Sequence, residues 1–112
     1  MYFGIKEIEA GDLAQWVSSQ TKPIKIIDVR EMNEIRGGTI PGAIPMPLAT
    51  VPLRLSEIEP HEEVVMICRS GARSAQACMF MQQQGFKNVY NLRGGMFAWS
   101  GSGQPLGLPE AV

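Results

Sequence analysis

The stretch richest in chemical possibility runs from Val64 through Cys68, Arg69, Ser70, Gly71, Ala72 and Arg73 to Ser74. An apolar, β-branched run gives way at Cys68 to a short polar loop, and a helical pattern opens at Ser74. Consecutive backbone N–H groups in such a loop converge on one point, and the helix behind them adds the positive end of its dipole. An anion is stabilised there. Gly71 permits the tight curl. Arg69 and Arg73 add two full positive charges, so the loop favours Cys68 as a thiolate. A cysteine at a strand end is ordinarily just a small packed residue. A packed cysteine has no need of an anion-binding loop, and this singles out Cys68 as a nucleophile. Cys78 is the opposite case: it falls mid-helix on the apolar face and is expected to pack inertly.

The elements that must hold this loop follow from the apolar pattern. Strands are expected at Ile24 to Val29, Ala43 to Met46, Val64 to Cys68 and Val89 to Leu92, with a weaker one near Phe3 to Ile8. Helices are expected at Asp12 to Gln20, Glu31 to Arg36, Leu48 to Ile58 and Ser74 to Gln84, with a last turn near Phe97 to Trp99. Strand and helix alternate throughout, which predicts an α/β fold with a mostly parallel sheet of about five strands and helices on both faces. Ligands bind such sheets beyond the carboxyl ends of the strands. Ser74, Ala77, Cys78 and Met81 fall at helical spacing and should face the sheet. Gly85 sits where a helix cap belongs. Gly94 and Gly95 should make a tight strand-to-helix turn, and Trp99 should pack in the core or at its edge. The segment from Gly101 to Pro109 is rich in turn residues and is expected to run along the surface.

Length and composition bound what such a domain can do. At 112 residues the chain supports one substantial core, so residues 1–112 are read as one domain. The 10 basic and 11 acidic residues nearly cancel, which argues against nucleic acid as the main partner. No apolar run approaches the length that spans a bilayer, and the N-terminus lacks a basic segment followed by an apolar stretch, so a cytoplasmic protein without a membrane partner is expected. Two cysteines ten positions apart make neither a disulfide framework nor a zinc site. The single histidine, His61, lies in a polar stretch and reads as a solvated loop residue. No metal or organic cofactor is expected.

The loop from Cys68 to Ser74 resembles the active-site loop of the rhodanese family of sulfurtransferases. Two further segments agree with it: Asp28-Val29-Arg30-Glu31 with Glu34 and the run Gly38 to Ala43, and the run Val89 to Gly95 with Ala98 and Trp99. The resemblance spans nearly the whole chain. Two positions depart from it, Thr39 where the family often has histidine and Ile35 where an aromatic residue is common. Both are expected to affect only local packing or a partner contact around that turn.

The resemblance implies a rhodanese-like fold and a reaction in two halves. Cys68 would attack the outer sulfur of thiosulfate or a similar donor, expel sulfite and become a persulfide. Amides from Ser70 through Arg73 would hold that persulfide, and cyanide, a cellular thiol or a protein thiol would then accept the sulfur. Asp28, Arg30, Glu34 and Ser74 would hold the loop without touching the transferred sulfur, the plainer reading of the charged ones being a rim ion-pair network worth about 0–1 kcal/mol per pair.

Two other functions compete. Cysteine-based phosphatases and arsenate reductases also cradle an anion in a loop closed by arginine, but with five residues between cysteine and arginine, whereas Cys68 and Arg73 enclose four. A non-catalytic binding module of the same fold would be expected to lack the cysteine or the loop arginines.

Overall fold

A computed structural model describes residues 4–20 and 23–110. Five strands, β1 (Lys6–Ile8), β2 (Lys25–Asp28), β3 (Ile44–Pro45), β4 (Val64–Ile67) and β5 (Val89–Leu92), form one sheet in the order β1-β5-β4-β2-β3. Every pairing is parallel. The α/β expectation therefore holds, and all five strands point their carboxyl ends the same way.

Alternation along the strands divides the interior in two. Ile27, Val64, Met66, Cys68 and Val89 face α4 (Ala72–Gln83) and the segment around Val51. Ile26, Val65, Ile67 and Leu92 face α1 (Ala10–Ser19) and α5 (Gly95–Gly101), where they meet Leu13, Met96 and Trp99. Strand β4 is covered on both sides, which is why it reads as a continuous apolar run rather than an alternating one.

Several boundaries differ from the sequence pattern, each for a local reason. The expected helix from Leu48 to Ile58 is broken into a 3₁₀ turn at Leu48–Thr50, the short α3 (Val51–Arg54) and a second 3₁₀ turn at Leu55–Glu57. Pro52, lacking an N–H, sits in the first turn of α3 and prevents continuation from the segment before it. The strand expected from Ala43 to Met46 pairs over only two residues. Helix α2 (Met32–Arg36) starts one residue late because Glu31 caps it: the Glu31 and Glu34 side chains bond each other's backbone N–H groups in a capping box. Phe3, expected in the first strand, lies outside the described residues.

The end of α4 is closed as anticipated. The Gly85 N–H donates to the Gln82 carbonyl at 3.0 Å and the Phe86 N–H to the Met81 carbonyl at 3.1 Å, the two bonds of a Schellman cap. The C-terminal segment lies on the surface but is pinned there. Thr39 and Gly107 exchange backbone hydrogen bonds of 3.1 and 2.8 Å, and Glu110 N–H donates to Ala43 O at 2.8 Å. The buried Trp99 reaches the same segment, its Nε1 donating to Pro105 O at 2.8 Å.

Candidate active site

Cys68 directly follows β4 and is buried, and the chain then turns at Gly71 into α4. Gly71 has φ of +103°, a left-handed conformation that a side chain would strain, and the turn folds its N–H back onto the Cys68 sulfur at 3.0 Å. Ser74, in the first turn of α4, places Oγ 3.2 Å from the same sulfur. Ser74, expected to support the loop, thus lies against the Cys68 sulfur itself. Helix α4 starts at Ala72, two residues earlier than expected, so Ala72 and Arg73 belong to its first turn.

The floor of the loop is built by α5. Its Met96 and Phe97 N–H groups donate to the carbonyls of Cys68 and Arg69 at 2.8 and 3.1 Å. Gly95 lies so close beneath that an added Cβ would collide with the Cys68 carbonyl oxygen and come within 2.7 Å of Arg69 backbone atoms. The tight turn expected at Gly94 and Gly95 is present, and its second glycine also makes room for the cysteine loop.

The two loop arginines do different work. Arg73 forms a bidentate pair with Glu34, Nη1 to Oε1 at 2.7 Å and Nη2 to Oε2 at 2.9 Å. This clamps the start of α4 to α2. The Arg73 hydrogen bonds hold the Glu34 carboxyl at about 2, well below the ordinary 4.5, against an opposing effect of burial. Arg69 is exposed and lies over Phe97, with Cζ 5.1 Å from the ring centroid; Phe97 itself is 61% exposed. Ser70 is exposed at the tip. A cleft of about 440 Å³ beside the loop is lined by Arg30, Glu34, Arg69, Met96, Phe97 and Ser100. A larger cleft of about 570 Å³ lies along Ile44 to Pro47, but its cations Lys25 and Arg54 are already paired with Glu62 and Glu57. Chemistry points to the smaller one.

Asp28 and Arg30 are brought together, though not to hold the cysteine loop. The buried Asp28 carboxylate accepts from Arg30 Nη2 at 2.7 Å, from the Arg30 backbone N–H at 3.0 Å and from Thr39 Oγ1 at 2.7 Å. Arg30 also donates to Gly38 O at 2.8 Å. The pair is a buried, fully hydrogen-bonded one rather than a rim network, and what it fastens is the turn at residues 38–39. Thr39 is a working member of it, while Ile35 is wholly buried in the core. Of the three charged residues expected to hold the loop, Glu34 alone bonds a loop side chain.

One contact was missed. Asn91, buried on β5, accepts the Ser74 hydroxyl at 2.5 Å and donates through Nδ2 to Gly71 O and to Glu7 Oε2, each at 3.2 Å. Its only trace in the sequence is a polar residue at an inward position of an apolar strand. Cys78 is buried one turn beyond Ser74, and burial, with smaller electrostatic contributions from Glu7 and Cys68, pushes its thiol up to about 12. Among the described residues no cluster of three His, Cys, Asp or Glu side chains could hold a metal, and no helix is long and apolar enough to cross a membrane.

Comparison with known proteins agrees with this geometry. A sulfurtransferase of Allochromatium vinosum is 43% identical over 106 residues, covering 95% of this chain and 98% of that protein. A thiosulfate sulfurtransferase, GlpE, of Shewanella oneidensis is 29% identical, covering 84% of this chain and 91% of its own. Among solved structures, a rhodanese-like domain protein from Staphylococcus aureus superposes with a TM-score of 0.83 at 31% identity, covering 93% of this chain and 98% of that one. Residues 9–102 match the model of the rhodanese-like domain. With the cysteine loop, the parallel sheet and these matches in accord, the chain belongs to the rhodanese-like domain family.

Proposed function

We propose that this protein is a sulfurtransferase that carries sulfane sulfur as a persulfide on Cys68. The observation that carries the reading is the cradle at the sulfur: the Gly71 N–H at 3.0 Å and the Ser74 hydroxyl at 3.2 Å, at the amino end of a twelve-residue helix. The Cys68 thiolate attacks the outer sulfur of thiosulfate, the S–S bond of the donor breaks, and sulfite leaves with the bonding pair. A thiol or cyanide then attacks the outer sulfur of the persulfide and returns Cys68 as thiolate. The Gly71 N–H and the amino end of α4, fixed in advance at the sulfur, stabilise its charge in both halves.

Arg69 is assigned the recognition of the anionic donor. Arg73 already shares both faces of its fork with Glu34, whereas Arg69 stands at the rim over Phe97 with its charge toward the cleft. The similarity to a thiosulfate sulfurtransferase of Shewanella oneidensis supports thiosulfate as donor. Two unpaired cysteines fit a reducing compartment, and the cytoplasm is the proposed location.

Brief treatment with thiosulfate should raise the intact mass by one sulfur atom, and cyanide should remove it. Cys68→Ser should show neither change. A wild-type protein that stays unmodified by thiosulfate and by other sulfane donors would overturn the reading.

A further inference from the structure

We infer that Asn91 is a positioning residue that turns the Ser74 hydroxyl away from the Cys68 sulfur, so that a chain of hydrogen bonds starting at Glu7 tempers the charge on the nucleophile. The inference rests on Cys68 being the reactive sulfur, as proposed above.

The direction of the chain is fixed by chemistry. Asn91 Nδ2 lies 3.2 Å from both Gly71 O and Glu7 Oε2, and each of those atoms can only accept. The amide nitrogen must therefore face them, and Oδ1 must face Ser74. Two oxygens 2.5 Å apart need a proton between them, and only Ser74 has one to give. With its single proton committed to Asn91, Ser74 presents a lone pair to the sulfur 3.2 Å away. That arrangement suits a Cys68 thiol, whose S–H it accepts. When Cys68 is a thiolate the hydroxyl must swing to donate to sulfur, and Oδ1 is left buried without its donor. Asn91 cannot turn to compensate, because turning would face its oxygen toward Gly71 O and the Glu7 carboxylate. The unfavourable contact falls on the thiolate state alone.

The cradle thus contains opposed influences. Arg69 and Arg73, the Gly71 N–H and the amino end of α4 place positive potential at the sulfur. Asn91, held by Glu7 from β1, opposes it through Ser74. The other charged or titratable groups around the loop are Asp28 at the end of β2, Arg30 just beyond it, Glu34 on α2 and Cys78 on α4. All of these except Cys78 are engaged in ion pairs.

The test reads the charge on sulfur directly, by the rate of Cys68 alkylation with iodoacetamide at neutral pH, with peptide mass mapping to separate Cys68 from Cys78. Removing the hydroxyl in Ser74→Ala should slow alkylation about tenfold, the scale of a hydrogen bond to a charged group. Ser74→Thr, which keeps the hydroxyl, should restore most of it. Asn91→Ala should speed alkylation severalfold by freeing the hydroxyl for sulfur. Glu7→Gln, at an exposed position that does not disturb the core, should speed it about twofold. In the Ser74→Ala background neither substitution should change the rate further, since both act through that hydroxyl. The inference fails if Asn91→Ala or Glu7→Gln leaves the rate unchanged or slows it. It also fails if their effects are the same with and without Ser74, which would mark a direct charge effect or a loosened loop. A protein that accepts no sulfur from thiosulfate could still give the expected pattern, so failure of the proposed function is distinguishable from failure of this relay.

Discussion

Burial does not separate the two cysteines, because both side chains are enclosed and both lie on the α4 side of the sheet. Their neighbours separate them. Cys68 is met by an N–H and a hydroxyl, while Cys78, its thiol held up near 12 mainly by burial, stays neutral at any physiological pH. Alkylation of the folded protein near pH 8 should mark Cys68 and leave Cys78 untouched until denaturant is added. Cys78→Ala should accordingly retain sulfur transfer from thiosulfate; loss of activity in a folded Cys78→Ala protein would require a two-thiol cycle. The Glu34 carboxylate gives a prediction of a different kind. Its value falls from 4.5 to about 2 on folding, chiefly through the Arg73 hydrogen bonds, so it stabilises the fold above its unfolded value and loses that contribution as pH drops toward 2. Glu34→Gln should cost about 1 kcal/mol at neutral pH, as suits a bidentate but partly exposed pair. Urea unfolding at a series of pH values should show the difference from wild type shrinking through the acid range. A difference that persists at the acid end would mean that the packing of α2, not the charge, is what was lost.

At the scale of elements, the loop between β4 and α4 works by its length. Four residues separate Cys68 from Arg73, and the resulting curl brings an amide to a single sulfur rather than around three phosphoryl oxygens. One alanine inserted between Ser70 and Gly71 should move the Gly71 N–H out of range and reduce sulfur transfer by about a hundredfold, the scale of a lost oxyanion donor. The wild-type protein should hydrolyse no aryl phosphate; turnover of that substrate, abolished by Cys68→Ser, would instead favour a phosphatase. This loop was legible in the sequence because all its parts are contiguous: strand, cysteine, glycine, arginines and helix start fall within eleven residues. Pairings across the fold were not. Nothing near Asn91 announces that it faces Ser74, and Glu7 lies 84 positions away from it, joined only because β1 pairs with β5. The charges of Asp28 and Arg30 were visible, but which turn they fasten depended on Thr39, eleven positions on, whose hydroxyl also donates to Asp28. The helix expected over Leu48 to Ile58 is broken for a reason the sequence does display, Pro52, which outweighs the apolar period there.

Across the whole molecule, the α/β reading succeeded because strands and helices alternate along the chain, and β4 is apolar at every position. Met66 is the clearest instance. It sits in the central strand with no exposed surface, within the cluster that also holds Cys68, Ala77 and Met81. Met66→Ala should destabilise the protein by about 2–5 kcal/mol in urea unfolding, the cost of a core cavity. Because Met66 is two residues from Cys68 on the same face, the variant should also lose sulfur transfer faster on warming than wild type. A cost below about 1 kcal/mol would mean that the cluster collapses to fill the gap.

The order of the strands has one more consequence, for the time course of folding. β1 pairs with β5, joining Lys6 to Tyr90 and Ile8 to Leu92, so the first strand made waits for the last. Sheets closed by such distant partners fold slowly, since the entropy of a long loop is lost before the contact forms. A growing chain that has just released Cys68 and both loop arginines from synthesis has no Asn91 beside Ser74 and no α5 beneath the loop. The cysteine loop therefore gains the Asn91 and α5 contacts that hold it in place only after residue 97, and a nascent or truncated chain carries every residue of that loop without its supports.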